Sequence, residues 1–417
     1  MRVYQACLLR PLPKPGLFPQ ADLVPSTHEV PSFEEARSLL DLLLPQRDAE
    51  QLPIARAYGR VLASGLAARV SHPSATESAL DGVACRAADT LTASPDQPVV
   101  LRLVGASWAG EGFSGVVGVG QAARVATGGS MPAGSDAVCP VELLREVAGG
   151  VELLRPASPR DVRPRGSDFQ EGDQVLWAGQ PLTPQRMALA AALGHATVPV
   201  CPALRVGLLS TGSELRAAGE PLLPGEVYNS NAVGLTGLLQ ADGHQVVALG
   251  QVPDTLDAVR WALIQASEVD LYLTSGGASV GLRDVIRTLL TDHGELSFPG
   301  VRMRPGKAML AGRYRDVPLI GLPGNPVAAL VAYEVLVRPV LSGRRPTVWS
   351  LRAGSAFRSV PRQTAFWRAV VRDGQVHDQK EQGAGALRSL GESDVLVRVP
   401  EGQTAEVGML VDVLPIG

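Results

Sequence analysis

The sequence has few aromatic residues, few cysteines and little net charge. Aromatic side chains make up 4% of its 417 residues, so the cores must be built from leucine, valine and alanine. A formal net charge of −3 excludes a general attraction to nucleic acid and leaves room only for local basic patches. The four cysteines contain no C-x-x-C pair, so they predict neither a zinc site nor a disulfide framework, and they suit the reducing cytoplasm. The six histidines are scattered and form no metal-ligand pattern.

Long hydrophobic runs are also missing. The longest uncharged apolar runs, such as residues 187–193, are too short to cross a bilayer, so we expect no membrane partner. Three prolines and a lysine between residues 11 and 15 interrupt any apolar core near the N-terminus, so no clean signal peptide is predicted. The proline-rich leader, up to residue 31, is the one tract whose composition suggests disorder.

The chain is too long for one ordinary core, and its patterns divide it into several domains. After the leader (1–31), we predict a linker or dimerisation domain made of residues 32–70 and 157–203, with helices at 32–44 and 183–193 and a strand and helix within 54–68. Ser32 and Glu35 have the spacing of a capping box at the start of the first helix, and Pro45 ends that helix. Thr183 and Pro184 begin the second helix, with proline at its first position. Residues 71–156 are expected to form a β-rich inserted domain, with a hairpin of strands 141–145 and 151–155. Residues 204–342 are expected to form an α/β domain, and residues 343–417 a small antiparallel β domain with a turn at Asp373-Gly374.

The α/β domain shows the clearest periodicity. Strands are predicted at 205–210, 245–249, 271–274 and 318–321, and helices at 231–240, 255–266, 282–290 and from 326 to about 340. This alternation predicts a parallel sheet covered on both faces. Most of the unusual loops follow the strands, so a parallel sheet would gather them at one edge, where ligands bind.

The stretch 271–283 contains the strongest ligand signal. A buried strand runs into Ser275, Gly276, Gly277, Ala278 and Ser279, and a helix is expected near residue 282. Small side chains let backbone N–H groups approach a ligand, and the helix N-terminus adds partial positive charge. The pattern favours binding of an anion, most often a phosphate. The alternative is a strand-to-helix turn with no ligand.

Three other loops are ambiguous when each is taken alone. Asp81 precedes a glycine, which usually marks a turn, and another strand ends in Thr127 and two glycines. Arg163 and Arg165 lie beside Gly166 and could bind phosphate bidentately, or could lie in an ordinary solvated loop.

Six motifs in one order carry a family resemblance. They are SALDG at 78–82, TG at 127–128 with PAGSDAV at 132–138, STGSEL at 210–215, SGGASVG at 275–281, PGK at 305–307 and GLPGNP at 321–326. Together they resemble the molybdenum insertase family, the MoeA-type proteins that also make up one part of gephyrin. The resemblance runs from about residue 32 to the C-terminus.

The resemblance implies an elongated four-domain subunit and a homodimer. It implies insertion of molybdate into adenylylated molybdopterin with release of AMP, assisted by Mg²⁺. The substrate would lie between the α/β domain of one subunit and the β-rich domain of its partner. The implied protein partners are the molybdopterin adenylyltransferase and molybdoenzyme apoproteins.

On the same resemblance, three groups of residues are predicted to form the site. The catalytic group is Asp81, Thr127, Arg304 and Lys307. The substrate-binding group is Thr211, Gly212, Glu214, Ser275, Gly276, Gly277, Ser279, Gly306, Pro323, Gly324, Asn325, Arg165 and Arg368. Asp254 and Asp284 are the predicted metal ligands, although Asp254 could instead cap a helix and Asp284 could complement a helix dipole.

Several positions depart from the family pattern. Ser167, Ser213 and Leu282 stand where the family has carboxylates, Ala328 stands where it has a serine, and Arg304 replaces a lysine. The loop 382–388 lacks the family's serines. Fewer carboxylates would weaken metal binding, and fewer hydroxyls would weaken a molybdate site. A non-catalytic carrier of molybdopterin or of the cofactor is therefore an alternative, and a nucleotide hydrolase that shares only the α/β domain is a weaker one.

Overall fold

The computed structural model describes residues 29–44, 48–266, 268–277, 284–344 and 346–416. Most of the leader, Pro45 and residues 278–283 lie outside this part of the chain. Residues 278–283 include the end of the predicted small-residue loop and the start of the helix predicted near residue 282. None of the helices described is long and apolar enough to cross a membrane.

The first helix, Phe33–Leu43, begins at the predicted capping box. Ser32 Oγ accepts a hydrogen bond from the N–H of Glu35 at 3.2 Å, and the carboxylate of Glu35 accepts one from the N–H of Ser32 at 2.7 Å. These bonds satisfy two donors that a helix N-terminus otherwise leaves unpaired. The helix buries one face, made of Phe33, Ala36, Leu40 and Leu43, against the core of the α/β region.

The segments around residues 50–70 and 160–200 build one unit. Strand Glu50–Pro53 pairs with Thr197–Val200, and Leu66–Ala67 pairs with Gln174–Leu176. The helix Pro184–Ala192 starts with Thr183 as its cap and proline in its first turn, as predicted. The prediction of a helix within 54–68 is wrong, because the only helical element there is the 3₁₀ turn Ile54–Arg56. The backbone that follows it instead bonds to distant segments, as Leu62 N–H does to Gln180 O at 3.0 Å.

The β-rich region contains a six-stranded sheet. Its strands, in spatial order, are Ala137–Pro140, Gly82–Cys85, Gln121–Val125, Val99–Ser107, Gly150–Leu153 and Leu144–Val147. The predicted hairpin is confirmed, although its first strand begins at Leu144 because Val141–Leu143 forms a 3₁₀ turn. Glu77–Ser78 and Val162–Arg163 form a separate, short antiparallel pair. The loop that contains Asp81 connects the first of these strands to Gly82–Cys85 of the six-stranded sheet.

The α/β region also contains a six-stranded sheet. Its strands, in spatial order, are Gln245–Val252, Arg205–Thr211, Leu271–Ser275, Val317–Leu322, Leu310–Tyr314 and Glu295–Phe298. The first four strands are parallel, as predicted, and the last two add antiparallel pairings. The reversal comes from a tight turn between Leu310–Tyr314 and Val317–Leu322, where Arg315 and Asp316 both have positive φ.

Helices cover both faces of this sheet, as the alternating pattern predicts. They are Ser230–Ala241, Leu256–Gln265, Val285–His293, Pro326–Ala332 and Arg338–Ser342, with the π-helical turn Tyr333–Val337 joining the last two. Leu271 and Leu273 pack in one core with Leu235, while Tyr272 between them packs in another core with Leu263. The period of two along a strand thus sends neighbouring side chains into opposite cores.

The C-terminal sheet is mostly antiparallel. Its strands, in spatial order, are Met303–Arg304, Thr364–Arg372, Gln375–Asp378, Trp349–Ala353, Leu410–Pro415 and Val395–Val399. A short helix, Leu387–Gly391, precedes strand Val395–Val399 in the chain. The predicted Asp-Gly hairpin turn is confirmed, since Asp373 and Gly374 have φ of 50° and 73°. A separate two-stranded pair, Leu215–Arg216 with Val227–Tyr228, projects from the α/β region.

Candidate functional site

A cavity of about 650 Å³ lies where the parallel strands end. Its lining residues are Thr211, Glu214, Leu215, Val227, Tyr228, Asn229, Ser230, Asn231, Asp254, Ser275, Gly276, Gly277, Gly324, Asn325, Pro326, Gly385 and Leu387. The loops that follow four strands of the sheet therefore converge, as the parallel topology requires. Eight of the predicted site residues line this cavity. Ser279 lies outside the described residues.

The loop Ser275–Gly277 approaches its neighbour so closely that glycine is required at two positions. Gly276 and Gly277 have φ of 90° and 61°, a region that other residues rarely adopt. A Cβ atom on Gly276 would lie 2.3 Å from Thr211 O, and one on Gly277 would lie 2.8 Å from Thr211 Oγ1. The two glycines leave bare backbone at this edge of the cavity, as expected of an anion-binding loop, although the N–H of Gly276 itself donates to Leu322 O at 3.3 Å.

Asn231 joins two of the loops and is a residue that the sequence does not reveal. Its Nδ2 donates to Ser275 Oγ at 2.6 Å and to Gly324 O at 2.9 Å. Because the hydroxyl of Ser275 accepts this bond, its own proton remains available for a ligand oxygen. The sequence places Asn231 at a helix start, where a polar residue is ordinary, so no local pattern indicates that its amide bridges segments 44 and 93 residues away.

Glu214 and Asp254 bring negative charge to the cavity. Neither carboxylate forms a hydrogen bond or ion pair with any residue that the structure describes, so both are available to a ligand. The alternative that Asp254 caps a helix is wrong, because Thr255 is the cap and accepts from the N–H of Ala258 at 3.4 Å. No group of three metal-binding side chains comes together among the described residues.

Asp284, the other predicted metal ligand, is engaged elsewhere. Its carboxylate accepts from the N–H of Arg287 at 3.0 Å and from Arg287 Nε at 2.8 Å. Burial raises the pKa of Asp284, and these bonds to Arg287 oppose that shift. Asp284 therefore serves as the cap of the helix Val285–His293, and it does not line the cavity.

Three predicted site residues, Asp81, Thr127 and Arg165, lie on or beside the β-rich region. Asp81 Oδ1 accepts from the N–H of Thr127 at 2.7 Å and from its hydroxyl at 3.1 Å. Arg165 approaches the same loops through Thr76, whose Oγ1 accepts its backbone N–H at 3.3 Å. Asp81, Thr127 and Arg165 are exposed, and none of the three lines the cavity.

Three further predicted site residues, Arg304, Lys307 and Arg368, lie where the α/β and C-terminal regions meet. Arg304 lines a narrow cavity with Trp367 and Gln382, while Lys307 is exposed. Arg368 is only 1% exposed, and its guanidinium donates to Glu381 O at 2.9 Å and to Gly383 O at 3.1 Å. The structure therefore places Arg368 beneath the loop 381–383, which it holds. Gly212, Gly306 and Pro323 do not line the large cavity either.

The positions that depart from the family pattern lie in different surroundings. Ser167 and Ser213 are exposed, while Ala328 is buried in the helix Pro326–Ala332. Leu282 lies outside the described residues. The serine-free loop of the C-terminal region nevertheless reaches the large cavity, because Gly385 and Leu387 contribute to its lining.

Comparison with known proteins accounts for nearly the whole described chain. Residues 31–194 match a model of the MoeA N-terminal region (domains I and II), residues 207–343 match a probable molybdopterin binding domain, and residues 350–416 match the MoeA C-terminal region (domain IV). The three matches follow the order of the sheets described above.

Relatives of similar length support the same assignment. The chain is 36% identical over 371 residues to molybdopterin molybdenumtransferase 2 of Mycobacterium tuberculosis, covering 84% of this chain and 90% of the relative. It is 35% identical over 369 residues to the molybdopterin molybdenumtransferase of Synechococcus elongatus, covering 85% and 91%. The crystal structure of the molybdopterin biosynthesis MoeA protein of Pyrococcus horikoshii is similar with a TM-score of 0.75 and 27% identity, covering 93% of this chain and all of that one. The chain belongs to the MoeA family.

Proposed function

We propose that the chain is a molybdopterin molybdenumtransferase, which inserts molybdate into adenylylated molybdopterin and releases AMP. The observation that carries this proposal is the convergence of the strand-end loops on one cavity of about 650 Å³. A volume of this size suits a small organic ligand. The curated relatives at 31–36% identity that are named for this activity support the same conclusion.

The cavity supplies the groups that a phosphate-containing substrate needs. The glycine backbone of the loop Ser275–Gly277 lines the cavity, and the N–H of Gly277 would donate to the phosphate, whereas that of Gly276 is bonded to Leu322 O. Asn231 leaves the proton of the Ser275 hydroxyl free to donate. Gly324 and Asn325 approach from the neighbouring strand end. These neutral donors can bind the phosphate oxygens without placing a cation in the loop.

We assign Mg²⁺ to Glu214 and Asp254 rather than to Asp284. Their carboxylates are unpaired among the described residues and line the cavity, whereas that of Asp284 is held by Arg287. Two carboxylates fit Mg²⁺, which usually keeps several waters and binds substrate phosphates. Bound there, the ion would neutralise charge on the phosphate oxygens as the phosphoanhydride breaks.

The proposal also includes a homodimer in the cytoplasm. Asp81 and Thr127 are exposed and do not line the cavity of their own chain, which fits a role at the cavity of a partner. Asp81 would then orient a reacting oxygen, while Arg304 and Lys307 would attract molybdate. The thiols of Cys85, Cys139 and Cys201 are free, as a reducing compartment favours. On the basis of the family resemblance, the proposed protein partners are the molybdopterin adenylyltransferase and molybdoenzyme apoproteins.

One reconstitution experiment tests the proposal. The purified chain is incubated with Mg²⁺, molybdate and adenylylated molybdopterin, and AMP is measured by chromatography while the product is assayed by activation of a cofactor-free molybdoenzyme. We expect AMP and active cofactor to appear together and to require molybdate. Tight binding of the substrate without AMP release would overturn the proposal in favour of a carrier.

A further inference from the structure

We infer that Tyr228 is the residue on which a flat heteroaromatic ring of the substrate stacks. This inference rests on the proposed function, because adenylylated molybdopterin contains two such rings, a pterin and an adenine. The features that support it are the composition of the cavity, the rigid attachment of the tyrosine, and the path of the chain from Tyr228 to the Ser275 loop.

Tyr228 is the one aromatic side chain among the described residues that line the cavity. Its exposed fraction is 44%, so much of its surface is available to a ligand. Most other lining groups are polar or are glycine, and the apolar ones are aliphatic: Leu215, Val227, Pro326 and Leu387. The polar groups suit phosphates and a metal, so a ring system entering the same cavity has Tyr228 as its available aromatic partner.

The backbone around Tyr228 is fixed on both sides. The N–H of Val227 donates to Glu214 O at 2.9 Å, and the N–H of Asn229 donates to Arg216 O at 2.9 Å. An ion pair between Arg216 and Glu226 braces the same two-stranded pair. A platform that is already ordered loses little conformational entropy when a ligand binds, which favours affinity.

The phenol of Tyr228 is also held. Its hydroxyl donates to Glu220 O at 2.9 Å, so the polar end of the side chain is satisfied within the protein. The exposed part available for contact is therefore the ring itself. A ring of this kind stacks on any planar base without requiring a particular hydrogen-bond pattern.

The chain connects this ring directly to the anion-binding loop. Three residues after Tyr228, Asn231 donates to Ser275 Oγ and to Gly324 O. A ligand whose phosphate lies at Ser275 therefore has Tyr228 within the same cavity. Phosphate recognition and ring recognition would thus be supplied by one continuous segment, 227–231.

The test compares ligands with and without a ring. The full-length chain and its variants Tyr228→Leu and Tyr228→Phe are titrated by calorimetry, in the presence of Mg²⁺, with AMP, with 6-hydroxymethylpterin and with ribose 5-phosphate. Tyr58→Leu is the matched control, because Tyr58 is 70% exposed and lies away from the cavity. Thermal unfolding checks that each variant is folded.

We expect Tyr228→Leu to weaken the binding of AMP or of the pterin by about tenfold or more, since base stacking on an aromatic side chain contributes that much. Ribose 5-phosphate should bind as before, and Tyr228→Phe should retain affinity because it keeps the ring and loses only the hydroxyl. Whichever compound is affected identifies the ring that stacks.

Two results would overturn the inference. One is an equal loss of affinity for ribose 5-phosphate, which would indicate a distorted loop. The other is unchanged binding of both ring compounds by Tyr228→Leu. If the unmodified chain releases AMP from its substrate in either case, the proposed function stands and only the stacking role fails.

Discussion

Asp81 and Thr127 are joined by two hydrogen bonds to a single oxygen. Asp81 Oδ1 accepts both the N–H of Thr127 at 2.7 Å and its hydroxyl at 3.1 Å, across 46 residues of sequence. The contact ties the loop before strand Gly82–Cys85 to the loop after strand Gln121–Val125, which is its neighbour in the sheet. Two loops with ambiguous sequence patterns thus form one exposed, negatively charged unit.

Asp81→Asn should reduce AMP release by at least about a hundredfold, because a small misplacement of the reacting oxygen that Asp81 orients costs about that much. Substrate binding should persist, since the asparagine Oδ1 can still accept both bonds from Thr127. Single-turnover AMP release and equilibrium binding measure the two effects separately. Asp96→Ala, which changes an exposed carboxylate of the same region, is the control and should be fully active.

A site shared between subunits predicts complementation. At a Mg²⁺ concentration too low to support the Asp254→Asn variant, Asp81→Asn and Asp254→Asn should each be nearly inactive alone. A refolded mixture should regain activity, because each mixed dimer has one site that is free of both changes. An equal mixture should reach about a quarter of the unmodified activity if subunits pair at random. A mixture that stays inactive, although size measurements show mixed dimers, would place both residues in the site of one chain.

The two asparagines near the start of helix Ser230–Ala241 should respond differently to the same substitution. Asn229 uses only its Oδ1, which accepts from the N–H of Ala232 at 3.2 Å, so Asn229→Asp should leave the free energy of unfolding almost unchanged. Asn231 uses its Nδ2 as a donor to Gly324 O, so Asn231→Asp would direct a carboxylate oxygen at a carbonyl oxygen.

Loss of the two buried bonds that Asn231 makes should cost about 2 kcal/mol in the free energy of unfolding, measured by denaturant titration. Asn231→Ala should also raise the KM of the substrate, since the hydroxyl of Ser275 loses the donor that orients it. Equal stability of the Asn229→Asp and Asn231→Asp variants would contradict the bridging role of Asn231.

Removal of the metal should stop the reaction. Chelation should abolish AMP release, and Mg²⁺ should restore it. Glu214→Gln and Asp254→Asn should each raise the Mg²⁺ concentration needed for half-maximal rate by at least about tenfold, as loss of a ligand weakens the site. Asp257→Asn, at an exposed carboxylate in the next helix, should not change it. If Asp284→Asn shifts the Mg²⁺ requirement and Asp254→Asn does not, our assignment of the ligands is wrong.

His244 should make the stability of the fold sensitive to acid. Burial lowers the pKa of His244, Arg60 and Arg338 act in the same direction, and Asp242 opposes them. Its Nδ1 accepts the N–H of Leu204 at 3.2 Å, so the folded state holds the neutral ring. The unfolded chain takes up a proton as the pH falls below about 6.5, the ordinary value for histidine, so the free energy of unfolding should decrease there.

The slope from this one group is at most about 1.4 kcal/mol per pH unit, between the unfolded and folded pKa values. His244→Asn keeps an acceptor near Leu204 but cannot titrate, so its thermal midpoint should fall less steeply between pH 6.5 and 5 than that of the unmodified chain. His293→Gln replaces an exposed histidine and serves as control. Parallel pH profiles for His244→Asn and the unmodified chain would exclude the linkage.

Local sequence signals were sufficient where the physics is local. The capping box at Ser32 and Glu35, the Asp373-Gly374 hairpin and the proline-started helix at residue 184 depend on neighbours within a few residues, and all three were predicted correctly. The helix predicted within 54–68 does not form, because backbone donors there, such as those of Leu62 and Ala63, bond to residues more than a hundred positions away.

The ordered motifs and the strand–helix alternation were enough to determine the family, the parallel direction of four strands and the edge where their loops meet. Only the tertiary structure decided which carboxylates are free. Asp254 and Asp284 look alike in sequence, since each lies next to a helix start, yet Thr255 caps one helix and leaves Asp254 unpaired, while Asp284 caps the other and binds Arg287. Contacts such as that of Asn231 with Ser275 also appear only in three dimensions, because they depend on which distant segments the fold brings together.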